Sequence, residues 1–235
     1  MKPESSDRSS ESGNIFIYII GAIFLMGILV VLLKGSNTPG AGIDAEQLEI
    51  RVTEVQRYGS ELEQAVRLIM QNGHSESDIR FAHPNADSAY GDISTDTPLT
   101  RQVFSPEGGA AEYRDPPDGI NDGTPWFFSG RNVVGQIGTS CSTDDCVDLV
   151  AILPNVTKDF CVALNEADNV TNPSGNPPMD DSTAELVTPF AGTFSYANWI
   201  LDTSNDLATH SEGCFEGGGT PANGTYHYYR VLMAR

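Results

Sequence analysis

The feature that most constrains this chain is an uncharged apolar run near its N-terminus, Ile15–Leu33, within SGNIFIYIIGAIFLMGILVVLLKGS. A helix of this length reaches roughly 28 Å at a rise of about 1.5 Å per residue, which matches the hydrocarbon core of a bilayer. A cleaved secretion signal usually has a shorter apolar core followed by small residues at the cleavage site, and the sequence contains neither. The run therefore predicts a transmembrane helix over residues 14–34, as a plain anchor or as the stalk of a filament subunit.

The segments around this helix divide the chain into four parts. Residues 1–13 (MKPESSDRSSESG) are polar and lack periodicity, so they form a leader or cytoplasmic tail. Residues 35–43, rich in glycine and containing a proline, form a linker. Residues 44–235 form the remaining domain, which we expect outside the cytoplasm because it holds every cysteine of the chain.

The charge of the chain is strongly negative, with 32 acidic and 13 basic residues and a formal net charge of -19. Only three acidic and three basic residues precede Gly35, so the imbalance belongs to the predicted extracytoplasmic domain. Such a surface repels nucleic acid phosphates and anionic lipid headgroups. The composition therefore excludes nucleic acid as a partner and is typical of a solvated domain surface.

The four cysteines indicate two disulfide bonds in an oxidising compartment. Of the three pairings, we favour Cys141–Cys146, which closes the small loop CSTDDC, together with Cys161–Cys214, which closes a long one. The long bridge would contribute roughly 3–4.5 kcal/mol through the entropy of the unfolded chain. The alternatives are a zinc site with four thiolates, which the absence of a CxxC pair disfavours, and free thiols.

An amphipathic helix is predicted over residues 44–72, capped by Asp44 and ended by Asn72-Gly73. Its apolar positions recur at alternating steps of four and three, with a gap at Gly59. These helix-packing positions are Leu48, Val52, Val55, Leu62, Val66 and Ile69. The stripe either packs only on the sheet of its own domain or also bundles with neighbouring subunits.

The rest of the chain predicts short strands and long loops. Arg101–Arg114 is interpreted as a hairpin, and strands are predicted in TPWFFSG, VDLVAILP, Phe194–Leu201 and TYHYYRVLMAR. A short helix capped by Asn155 or Thr157 follows the second of these strands. The predicted fold class is therefore α+β, with an N-terminal transmembrane helix, a linker, and a long amphipathic helix packed on a small antiparallel sheet with long loops and disulfides.

No catalytic residues are predicted. His74, His83, His210 and His227 lie in no recognisable nucleophile or metalloenzyme motif. The sequence predicts a protein that is not an enzyme and has no resident cofactor.

A calcium site is the one metal site that the sequence suggests. The loop DPPDGINDG brings Asp115, Asp118, Asn121 and Asp122 together with two glycines, and calcium takes six to eight oxygen ligands. The same residue types also form ordinary turns that hold no ion.

The order of polar leader, glycine, apolar helix, amphipathic helix and disulfide-bearing α+β domain resembles bacterial type IV pilin-like proteins and the pseudopilins of secretion systems. The resemblance implies that a prepilin peptidase cuts between Gly13 and Asn14, and that Gly21 and Gly27 allow close helix packing. Two loops, HPNADSAYGDI and VFSPEGGAAEYRDPP, are also similar to a group of alphaproteobacterial membrane proteins without an assigned activity.

Two departures from the pilin pattern separate this chain from major pilins. Tyr18 occupies the fifth position after Gly13, where major pilins carry a glutamate, and the linker interrupts the stalk. The resemblance implies a non-catalytic assembly protein of a filament or secretion apparatus, whose partners are the membrane and like subunits. We expect a single-pass protein of the inner membrane with a periplasmic or extracellular domain, or a surface filament. The alternatives are an anchored binding domain unrelated to pili and, less favoured, an extracytoplasmic hydrolase.

Overall fold

A computed structural model of the protein describes residues 18–26, 41–180, 183–200 and 206–235. The chain divides into two units, Met1–Gln47 and Leu48–Arg235. Within the described residues, no helix combines the length and the apolar character needed to cross a membrane. Most of the predicted span 14–34 and of the predicted linker 35–43 lies outside the described residues, as do Gly13, Asn14 and Gly27.

The first unit contains a helical segment, α1, described over residues 18–26. All of its large apolar side chains are more than half exposed, with exposed fractions between 51% for Ile19 and 72% for Met26. A Cβ atom added to Gly21 would have no other atom within 4 Å. Nothing in the described structure covers this apolar surface.

The long amphipathic helix of the sequence is α2, Ala41–Gln71, which begins three residues before Asp44. It ends where Asn72-Gly73 predicts, because Gly73 adopts a φ of 92° that glycine tolerates best. The amide of Gly73 donates a hydrogen bond to the Met70 carbonyl, and that of His74 donates to Ile69. These bonds satisfy carbonyls that a helix end leaves without partners.

The second unit is built on one six-stranded sheet. The strands are β1 Phe127–Val134, β2 Asp148–Val156, β3 Met179–Asp180, β4 Asn198–Ile200, β5 Glu212–Gly217 and β6 Tyr226–Met233. Their spatial order is β3-β5-β6-β2-β1-β4. The four central strands pair antiparallel, whereas β3 pairs parallel with β5 and β4 pairs parallel with β1.

Both faces of the central strands are buried. On the face that we call helix-covered, Leu149, Leu153 and Tyr228 share a core with the buried side chains of α2. On the opposite, loop-covered face, Ile152 and Tyr229 share a second core with Ile200 of β4 and with side chains from connecting segments, namely Val170, Ala184 and Leu207. Successive strand residues alternate between the two cores, as the pleat of a strand requires.

The predicted fold class was therefore wrong. The prediction was a helix on a small antiparallel sheet, and the structure has a six-stranded mixed sheet with both central faces covered. The predicted hairpin over Arg101–Arg114 was also wrong: the segment begins at the end of the 3-10 turn Leu99–Arg101, forms an isolated bridge from Gln102 to Arg80, and continues in turns. Gly108 packs so closely on the backbone that an added Cβ would lie 2.7 Å from the Leu99 carbonyl oxygen.

Both favoured disulfides are present, Cys141–Cys146 and Cys161–Cys214. They fit an oxidising, extracytoplasmic compartment. Helix α3, Lys158–Ala167, begins at a Thr157 cap whose hydroxyl accepts from the Phe160 amide. Beside the second disulfide, the Asn165 side chain bonds both the amide and the carbonyl of Cys214, at 2.8 and 2.9 Å. The bridge and this side chain together hold α3 against β5.

Candidate functional site

The predicted helix-packing stripe lies inside its own domain. Val52, Val55, Leu62, Val66 and Ile69 are all at most 3% exposed and belong to the core of the helix-covered face. Leu48 is partly buried and packs against the same core. These side chains are therefore occupied in holding α2 on the sheet, which is the first of the two interpretations that the stripe allowed.

The gap in the stripe at Gly59 coincides with a buried polar cluster. A Cβ atom at Gly59 would lie 2.6 Å from Cδ of Arg230 and 2.9 Å from the hydroxyl of Tyr228. Both side chains rise from β6 on the helix-covered face, and only a glycine in α2 leaves room for them. We define the Arg230 cluster as Glu63, Asp168, Glu212, Tyr228 and Arg230.

Arg230 is the centre of the cluster and joins three elements. Its guanidinium donates to Glu63 of α2 at 2.8 Å and to Glu212 of β5 at 2.9 Å. Glu212 lies directly opposite Arg230 in the β5–β6 register and also accepts from the Tyr228 hydroxyl at 2.9 Å. The Arg230 side chain is 12% exposed, so removal of one partner would leave a poorly hydrated charge.

The electrostatics of the cluster are unbalanced, with three carboxylates around one guanidinium. Burial, followed by the charge of Glu212, raises the pKa of Asp168 to about 6. Burial by itself would lower the pKa of Arg230, but the hydrogen bond to Glu63 and the charge of Glu212 outweigh it and raise that pKa. Asp168 accepts a hydrogen bond from Gln56 of α2 at 2.8 Å. The cluster thus holds α2, β5, β6 and the end of α3 together.

Two open grooves flank the C-terminal half of α2. One has a volume of about 450 Å³ and runs between Ala65 and Leu68 of α2 and the segment Gly109–Ala111. The other, of about 360 Å³, lies between Met70 of α2 and the end of β6 and includes Glu63 of the Arg230 cluster. Both are shallow surface features with no cluster of reactive groups along their described walls.

The residues of the suggested calcium loop are engaged in turns. Asn121 donates to the carbonyls of Thr124 and Pro154, and its own oxygen accepts from the Gly123 amide. The Asp122 carboxylate accepts from Thr124 and Asn155, and the Thr124 bonds lower its pKa. Asp115 and Asp118 are exposed.

The described part of the chain contains no group of three or more histidine, cysteine, aspartate or glutamate side chains placed to hold a metal ion. The calcium site stays a prediction.

The four histidines each have a separate local partner. His74 bonds the Thr100 hydroxyl, His210 contacts the Ala208 carbonyl, and His227 bonds the Thr225 hydroxyl. His83 stacks on Tyr113 with a centroid distance of 4.5 Å. Burial lowers the pKa of His227 to about 4, so this ring is neutral at physiological pH.

Comparisons of the chain with the profiles of known protein families, with curated proteins and with solved structures find no match.

The sequence interpretation missed the Arg230 cluster. Two signals pointed to it: the glycine in an otherwise apolar stripe, and charged residues within strands, namely Glu212 in EGCFEG and Arg230 in YHYYRVLM. Neither signal identifies its partner, because Glu63 and Arg230 are 167 residues apart in sequence.

Proposed function

We propose that this protein is a non-catalytic, extracytoplasmic subunit that is held in the inner membrane by its N-terminal apolar segment. It assembles with like subunits through that segment, in the manner of pilin-like and pseudopilin-like proteins. The head domain is the disulfide-bonded sheet with α2 docked on it.

The observation that carries this proposal is the exposure of α1. Its large apolar side chains are between 51% and 72% exposed. Leaving such side chains in water is unfavourable by roughly 25 cal/mol per Å² of apolar area, so this surface requires lipid or other apolar helices. Gly21, with open space around it, would let a second helix approach closely.

The head domain supports the same proposal by elimination. The apolar stripe of α2 is buried within its own domain and is not free to bundle with neighbouring subunits. The Arg230 cluster further fixes α2 on the sheet through Glu63. Assembly through helices is therefore assigned to α1, and the strongly negative head disfavours close head-to-head contact between copies.

The proposal is tested by cysteine cross-linking of the full-length protein in native membranes. All four native cysteines are in disulfides, so an introduced cysteine is the sole reactive thiol. Single substitutions such as Ile20→Cys and Ile23→Cys should give oxidatively cross-linked dimers, with a yield that follows the helical period along α1. The matched control is Val187→Cys in the head domain, which is 79% exposed and should cross-link weakly.

Two further readouts separate the alternatives. Membrane association without cross-linking at any α1 position would support an anchored binding domain instead of an assembling subunit. Recovery of the intact chain in the soluble fraction would contradict anchoring. Mass spectrometry of the mature N-terminus should detect cleavage after Gly13, whereas an intact Met1 in cells with an active prepilin peptidase would contradict pilin-type processing.

A further inference from the structure

The dipeptide Asn-Gly occurs twice in this chain, at Asn72-Gly73 and at Asn223-Gly224. In this dipeptide the glycine nitrogen can attack the side-chain amide carbon of asparagine, because glycine has no Cβ to obstruct the approach. The attack forms a five-membered succinimide and releases ammonia. The surroundings of the two glycine nitrogens differ sharply in this structure.

The first dipeptide is protected by the end of α2. The Gly73 amide donates to the Met70 carbonyl at 3.0 Å, and the Asn72 amide donates to the Leu68 carbonyl at the same distance. These bonds hold the Asn72-Gly73 peptide in place, and the Met70 carbonyl that accepts from Gly73 is not a base that could take its proton. The C-terminal cap of a long, docked helix therefore slows the reaction.

The second dipeptide lies in the connection between β5 and β6, where Asn223 and Gly224 are both exposed. The Gly224 amide donates to a carboxylate oxygen of Glu216 at 3.1 Å. Gly224 has a φ of 79°, and it has open space around an added Cβ, as Gly73 also does, so the difference between the two sites lies in the group that accepts from the glycine amide. Here the attacking nitrogen faces a group that can accept its proton.

We propose that Asn223-Gly224 is a self-modification site at which Glu216 acts as the general base. Glu216 takes the proton from the Gly224 amide while the nitrogen bonds to the side-chain carbon of Asn223. The bond from that carbon to the side-chain nitrogen breaks, and the nitrogen leaves as ammonia after protonation. Water then opens the succinimide to aspartate or isoaspartate. The proposal is independent of the proposed function.

The product changes the β5–β6 connection in two ways. It places a new carboxylate close to Glu216, and the isoaspartate form adds a methylene to the backbone. Since Gly217 forms a bridge with Asn223, the modification acts on the end of β5. Like-charge repulsion at this point should loosen the connection as the protein ages.

The test is peptide mapping by mass spectrometry of the purified full-length protein during incubation at neutral pH. We expect conversion of Asn223 to be at least about tenfold faster than that of Asn72, with Glu216→Gln slowing Asn223 by about tenfold or more. Glu107→Gln, an exposed glutamate on another loop, is the matched control and should leave both rates unchanged. In urea the two asparagines should react at similar rates, because unfolding removes both environments.

Two outcomes would overturn the proposal. One is equal or faster conversion of Asn72 in the folded protein, which requires no variant and so does not depend on how any variant folds. The other is an unchanged Asn223 rate in Glu216→Gln when circular dichroism shows a native fold. The second result would leave the backbone of the β5–β6 connection as the cause and remove Glu216 from the chemistry.

Discussion

The two faces of the central sheet are covered in different ways. The first face is covered by α2 and α3 together with the segment between α2 and β1, and α2 contributes a regular series of side chains from Val52 to Ile69. The second face is covered by single residues from four separate segments, including Val170 and Leu207. A regular cover leaves a periodic pattern in the sequence, whereas a cover of scattered residues leaves none. The comparison also predicts a difference in rigidity, because the hydrogen-bonded backbone of a helix adjusts to a cavity less readily than the backbone of a connecting segment does.

The largest expected effect comes from matched truncations on the two faces. Leu62→Ala removes a fully buried side chain of α2 and should lower the free energy of unfolding by about 3–4 kcal/mol. Leu207→Ala, with 2% exposure on the loop-covered face, should cost about 2 kcal/mol because a loop can collapse into the cavity. Denaturant titration of the purified protein measures both values. An equal or larger loss for Leu207→Ala would contradict the difference between the faces.

A smaller change in stability is predicted for Gly59→Ala, with a sign opposite to that of the same substitution in an exposed helix. In an exposed helix, glycine to alanine stabilises by about 1 kcal/mol. Here the new methyl group would meet Arg230 and Tyr228, so Gly59→Ala should destabilise by about 1–2 kcal/mol. Gln64→Ala at an exposed position of the same helix should change stability by less than about 0.5 kcal/mol. Stabilisation by Gly59→Ala would mean that Arg230 and Tyr228 can move aside at little cost, and that the Arg230 cluster does not fix α2.

The smallest predicted effect is a pH dependence of the free energy of unfolding that arises from Asp168. Its pKa is raised from 3.8 to about 6, so the folded protein binds this proton more tightly than the unfolded chain does. This contribution to stability is fully present below pH 4 and is lost as the pH rises through 6. Asp168→Asn keeps an oxygen for Gln56 and should stabilise the protein at pH 7 by about 1 kcal/mol, with a flatter pH profile.

Thermal unfolding of Asp168→Asn at pH 4 and at pH 7 measures this contribution. Asp118→Asn, at an exposed carboxylate, is the control and should follow the wild-type profile. Equal gains at both pH values would assign the effect to something other than the ionisation of Asp168. A loss of stability at pH 7 would mean that Asp168 stabilises the cluster as a carboxylate.

Several parts of the fold were predictable because their signals are local. The end of α2 at Asn72-Gly73, the Thr157 cap of α3 and the strands β2 and β6 follow from turn chemistry and short-range pattern. The disulfide pairing was also correct. By contrast, β3 has two residues, too few for an alternating pattern to be recognised, and β4 takes up only Asn198–Ile200 of the strand predicted over Phe194–Leu201. The hairpin predicted over Arg101–Arg114 does not form, and Gly108 and Gly109 within it pack closely on the Leu99–Val103 backbone.

The sequence by itself determined the elements whose physics is short-range: the apolar segment, the stripe of α2 with its gap at Gly59, and the excess of negative charge. Tertiary structure alone decided what lies opposite the gap in the stripe and how the charges of the second unit are paired. The gap receives Arg230 from β6, 167 residues beyond Glu63, and a carboxylate at Asp168 acquires a raised pKa from its burial beside Glu212. Helix caps and periodicity act within a few residues, whereas strand pairing and the cover of a sheet face join residues that no local pattern relates.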